Sequence, residues 1–126
     1  MSSRLIAALA LFTAATVVQA QAPATPPDFP TDAQPLTAEA LQKRLSGKVF
    51  SVKTAAGAPW RLQFQGSGYY FINAGNYSDS GKWRTEQSTL CTEPQKRPAA
   101  CNDMRLAGDA LYLKRDSGEI VKFEPN

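Results

Sequence analysis

The chain contains no histidine. That absence removes the commonest general base, the commonest zinc ligand and any Ser–His or Cys–His nucleophile pair. No Walker loop, dinucleotide fingerprint or haem attachment site occurs. Acidic residues stand singly, whereas a calcium loop needs carboxylates at close spacing. Asp79 with Glu86, or Asp103 with Asp109, could meet on folding, but nothing marks either pair as special. The expectation is a non-catalytic protein with no catalytic residues, no metal and no cofactor. Long apolar runs are also missing. No segment after the first 22 residues approaches the about 20 residues that a membrane span needs.

Charge of one sign is not concentrated anywhere. Basic residues are scattered, and where they adjoin they form isolated pairs, Lys43-Arg44, Lys96-Arg97 and Lys114-Arg115. Nucleic-acid binding wants a clustered basic stripe, so no nucleic-acid partner is expected.

Met1 to Ala22 (MSSRLIAALALFTAATVVQAQA) carries one basic residue, Arg4, then an uncharged stretch from Leu5 to Val18. Small residues follow at cleavage spacing, Val18-Gln19-Ala20 and Ala20-Gln21-Ala22. A positive start, an apolar middle and an A-x-A-like site describe a secretory signal peptide over residues 1–22. This 14-residue stretch falls short of a span, and no cysteine lies near the site to take a lipid anchor. The expected location is the periplasm or the exterior. The expected partner is a periplasmic protein or cell-envelope component, with no membrane span once the leader is removed.

Residues 23–35 (PATPPDFPTDAQP) hold five of the nine prolines. Proline lacks the backbone donor and fixes φ, so this segment reads as an extended linker. The remainder, residues 36–126, is long enough for one small domain. Without Arg4, 13 basic and 11 acidic residues remain, a net charge of +2.

Leu36 to Gly47 (LTAEALQKRLSG) predicts a short helix. Thr37 stands as N-cap, Glu39 faces the positive helix end, and Gly47 marks the stop. Leu41 and Leu45 share one face. Beyond Gly47 the pattern turns to period two. Trp60 to Gln65 alternates apolar and polar residues, the mark of a half-buried strand. Further strands are expected at 48–53, 69–72, 81–86, 89–93, 102–106, 110–115 and 119–124. Tyr69 to Ile72 is apolar on both faces and reads as a central strand. Four Ser-Gly dipeptides, Ser80-Gly81 among them, read as turns. About eight short strands with frequent turns predict an antiparallel β-meander, closed as a small barrel or folded as a sandwich, with one N-terminal helix.

Cys91 and Cys101 both lie in the expected exported part. An even pair in an oxidising compartment predicts a structural disulfide. The nine residues between them do not match a redox C-x-x-C spacing.

Aromatic residues are dense for a small domain. Trp60 and Trp83 sit at the inward phase of their strands and are expected in the core. Tyr70 and Tyr112 take the opposite phase, and Tyr77 lies in a polar stretch, Asn73 to Ser80, that reads as a contact loop. Exposed tyrosines offer large contact area at low entropic cost. Tyr70, Tyr77 and Tyr112 are therefore the candidate binding residues.

From Gly81 onward the chain runs G-K-W-R-T-E, then L-C, then C-N-D-M-R-L-A-G-D-A-L-Y-L. This resembles small exported proteobacterial proteins of unknown function that share a G-x-W…L-C…C…G-x-x-L-Y-L layout. The helix and the Gly47-Lys48-Val49-Phe50 entry are loosely similar to the start of a lipocalin-type barrel. The resemblance implies fold and compartment and transfers no active site. Three roles stay open: a binding or interaction module, a carrier of a small apolar ligand inside a barrel, and an inhibitor of a cell-wall lytic enzyme.

Overall fold

A computed structural model describes residues 10, 13–15, 28–55 and 57–126. The expected signal peptide, apart from residues 10 and 13–15, and residues 23–27 of the proline-rich segment lie outside the described residues. Among the described residues no helix is long and apolar enough to cross a membrane.

Among the described residues the single helix, α1, spans Ala38–Leu45. Thr37 caps it, its hydroxyl accepting from the Ala40 N–H at 3.2 Å. Glu39 lies in the first turn and Lys43 and Arg44 in the last, each complementing the helix dipole. A helix this short is not stable alone. Docking of Leu41 and Leu45, both fully buried, supplies what propensity cannot. The Thr85 hydroxyl donates to the Ala38 carbonyl at 2.8 Å and ties the helix start to the sheet.

Eight strands follow: β1 (Val49–Val52), β2 (Trp60–Phe64), β3 (Tyr69–Ala74), β4 (Tyr77–Glu86), β5 (Thr89–Pro94), β6 (Ala100–Ala107), β7 (Ala110–Lys114) and β8 (Ile120–Pro125). Each pairs antiparallel with the next, and β8 returns to β1 through Phe50 opposite Pro125 and Ser51 opposite Glu124. The sheet is therefore a closed barrel, and the sandwich alternative is excluded. Closure removes the free edges that an open meander would expose. Eight strands also leave an interior of a width that side chains can fill.

Inward residues recur at every second position. Phe50, Phe64 and Phe123 pack together with Trp83, at centroid separations from 5.3 to 6.3 Å. Leu41 and Leu45 join the same core cluster. The hairpins β2–β3, β4–β5 and β6–β7 turn at the helix end. The other four connections gather at the opposite end.

Two departures from the sequence reading concern strand limits. The stretch Asn73 to Ser80 is not a loop. Strands β3 and β4 run through it, pairing Asn73 with Ser78 and Ala74 with Tyr77 around a tight turn at Gly75, whose φ is 61°. Ser80-Gly81 is not a turn either, because Gly81 lies inside β4. A side chain there would overlap the Glu93 carbonyl of β5, so the glycine serves close strand approach.

The described part of the proline-rich segment lies on the barrel. Gln34 and Leu106 exchange two backbone hydrogen bonds of 2.8 Å. The Arg105 guanidinium sits 5.2 Å from the Phe29 ring centre.

Candidate functional site

The helix end of the barrel is filled, and the opposite end is open. A cavity of about 390 Å³ enters there between the strands. This lies within the range of about 300 to 1,000 Å³ typical of ligand pockets. Leu62, Phe64, Leu90, Leu113 and Phe123 form its apolar depth. Alternation explains their placement, since each lies on the inward phase of its strand. Trp60, Tyr77, Asp79, Arg97 and Arg115 stand nearer the mouth, supplied by β2, β4 and the loops after β5 and β7.

Tyr70 corrects the sequence reading. It was expected on the face opposite the core, but it points inward and is 5% exposed. Its ring stacks on Phe64 at 6.3 Å. Burial raises its hydroxyl above the ordinary tyrosine value, opposed by the neighbouring Thr92 side chain. The hydroxyl is therefore neutral and available to the cavity as a polar group. The exposed residues of β3 are Tyr69, Phe71 and Asn73, the two aromatics at 50% and 38%. The strand thus has an outer face rather than two buried ones.

Tyr77 does stand at the mouth, half-buried, with its hydroxyl 3.2 Å from Asp79. Tyr112 lies elsewhere, half-buried on the outer phase of β7 opposite Lys122. Two of the three candidate tyrosines share the cavity, and the third is remote from it. Of the tryptophans, Trp83 is buried as expected and donates from Nε1 to the Gln65 carbonyl at 2.9 Å. Trp60 is only partly buried, because it stands at the rim.

Asp79 is the sole buried charged residue among the described residues. Burial acts to raise its carboxyl, but four donors outweigh it and hold the group below the usual value. These are the N–H groups of Lys96 at 3.0 Å, Ser80 at 2.8 Å and Gln95 at 3.3 Å, with the Tyr77 hydroxyl. A carboxylate so enclosed has no vacant lone pair for acid–base work. Its role is to clamp the loop after β5 against β4.

On the far side of the mouth, Arg115 bonds Glu119 at 2.6 Å and covers the Trp60 ring at 4.7 Å. Glu119 also accepts from the Ala55 N–H at 2.8 Å. That backbone bond, then Arg115, lowers its carboxyl against the opposing effect of burial. Arg97 covers the Tyr77 ring at 4.9 Å. The sequence reading passed over both arginines as scattered charge, and Asp79 as one acid among many.

Cys91 and Cys101 form a disulfide between directly opposed residues of β5 and β6. It lies on the outer face, and Glu86 stands nearby. Both sulfurs are bonded to each other, so this trio offers no thiolate to a metal.

Comparison with protein-family models, curated proteins and solved structures yields no match.

Proposed function

We propose that this protein is an exported, non-catalytic binding protein that carries a small, largely apolar ligand in the mouth of its barrel. The observation that carries this reading is the asymmetry of the interior. One end is plugged by α1 and the aromatic core, while the other keeps a cavity of about 390 Å³ with apolar walls and a polar rim. Ligand pockets have this composition, apolar in bulk with a few placed polar groups. The leader sequence and the Cys91–Cys101 disulfide support export.

A neutral naphthylamine dye whose emission rises in apolar surroundings tests the reading. Saturable enhancement is expected with the wild-type chain. Ala100 lines the cavity, so Ala100→Trp fills space without removing a core side chain and should abolish the enhancement. Equal dye binding in a folded Ala100→Trp protein would refute the cavity as the site.

The exposed pair Tyr69 and Phe71 favours a second reading, a protein-binding face on the outside of β3. Loss of a partner on Tyr69→Ser and Phe71→Ser, with dye binding intact, would favour it over the carrier.

A further inference from the structure

We infer that the ligand is an amphipathic oxyanion, with its apolar body in the barrel and its charged head at the rim that carries Arg97 and Arg115; this rests on the carrier reading above. Donors and acceptors at the mouth are unequally committed. Each buried or half-buried acid there is already occupied. Asp79 takes four donors, and Glu119 takes Arg115 and the Ala55 N–H. Asp116, on the solvent side, accepts from the Asn102 amide at 2.8 Å.

The donors are less committed. Among the described residues, Arg97 has no acidic group within ion-pair distance, and its only recorded close partner is the Tyr77 ring face. Arg115 uses Nη1 on Glu119 and sits 4.7 Å from the Trp60 ring centre. A guanidinium carries five N–H donors in one plane. Glu119 takes one of these from Arg115, and Arg97 lies beside Tyr77 with no acidic partner among the described residues, so donors are left over on both. Two planar forks, each backed by an aromatic ring, thus border one apolar cavity. Carboxylate and phosphate oxygens match that fork geometry. A cationic head would meet two arginines, with Asp79 and Glu119 already bonded and only the exposed Asp116 keeping a free oxygen. A neutral hydroxyl or carbonyl head could accept from these donors but would leave their charge unpaired, and the charge-assisted bond is roughly twice as strong.

The head is thus a carboxylate or a phosphate monoester, and the size of the cavity calls for a short body. Displacement of the neutral dye from the full chain tests this with decanoate, decyl phosphate and decanol, all below their aggregation thresholds. At least one anion should displace the dye at a concentration roughly ten- to hundredfold lower than decanol, the factor that a hydrogen bond to a charged group supplies. The better of the two anions identifies the head. In Arg97→Gln the ratio between that anion and decanol should fall toward one, and Arg97→Lys should restore part of it. Arg97 is exposed, so these variants should fold. If they do not, carboxyl-carbon NMR of labelled decanoate on the wild-type chain replaces them. The bound carboxyl should then titrate at lower pH than the free one, in a mouth that also holds Asp79, Asp116, Glu119, Tyr70 and Tyr77.

Equal displacement by decanol and both anions, or none by any of the three while the dye binds, overturns the inference and leaves the cavity reading standing. A dye that does not bind at all removes both.

Discussion

Trp83 and Trp60 share a residue type and an inward strand phase, yet they should respond differently to the same substitutions. Trp83 is 7% exposed, meets Phe64 edge-to-face at 5.3 Å and donates to the Gln65 carbonyl at 2.9 Å. Trp83→Ala should cost about 3 to 5 kcal/mol, the range for emptying a core aromatic site. Trp83→Phe separates the parts. It keeps most of the buried area but removes the indole donor, so about 1 kcal/mol for the hydrogen bond should be lost, plus a smaller packing defect. Trp60 has no indole hydrogen bond recorded and stands at a rim under Arg115. Trp60→Phe should therefore lower stability by less than Trp83→Phe. Urea unfolding supplies both free energies. For a domain of this size, each kcal/mol shifts Tm by roughly 4 to 8 °C. The same two Phe variants leave one tryptophan each for fluorescence. Trp83 alone should emit to the blue and resist iodide, while Trp60 alone should be quenched and should respond to ligand. If the two cost the same and quench alike, the filled and open ends of the barrel have been wrongly distinguished.

Three further outcomes follow from particular contacts. Replacing Cys91 and Cys101 together by Ser should lower stability by roughly 3 kcal/mol, as for a loop of about this length; unchanged urea midpoints would show the bond to be dispensable. Gly81→Ala should cost about 1 to 3 kcal/mol, because its methyl group meets the Glu93 backbone, whereas Gly57→Ala, with open space at the same point, should be nearly silent in thermal melts. Asp79 and Glu119 both have lowered carboxyl values. Their stabilisation is complete above the ordinary carboxylate range near pH 4 and is lost as pH falls through their lower folded values. Melting temperatures measured from pH 6 to pH 2 should drop less steeply in Asp79→Asn and Glu119→Gln, and a parallel drop would rule these groups out as acid-sensitive ties.

The helix and most strands were legible because local chemistry and long-range packing agree there. Thr37 caps α1, and the leucines four apart are the pair that docks. Trp60 to Phe64 alternates in sequence and in burial alike. Strand β3 was read less well, since Tyr69, Tyr70, Phe71 and Ile72 carry no polar residue to mark a phase. Apolar content alone cannot tell an inner tyrosine from an outer one, and only pairing with β2 and β4 settles it. A usable signal existed. Trp83 faces inward, and steps of two lead back through Gly81 to Asp79 and Tyr77. Reading Ser80-Gly81 as a turn cut that strand short and hid the one acid whose phase put it inside.

The mouth itself depended on closure. In a closed meander of eight antiparallel strands, alternate connections fall at alternate ends. The links β1–β2, β3–β4, β5–β6 and β7–β8 must therefore share one rim, whatever their sequences. Trp60 and Arg115, far apart in the chain, meet there because β2 begins where β7 ends. Tyr77 and Arg97 meet for the same reason, at the start of β4 and just beyond β5. Isolated basic residues are ordinarily solvated surface, and nothing in local composition separates these two from the rest. What distinguishes them is the parity of the connections that carry them. The arginines were legible in principle once the eight strands were taken as a barrel and not merely as a meander. The cavity depth was not, because it depends on how far the phenylalanines and Trp83 fill the opposite end.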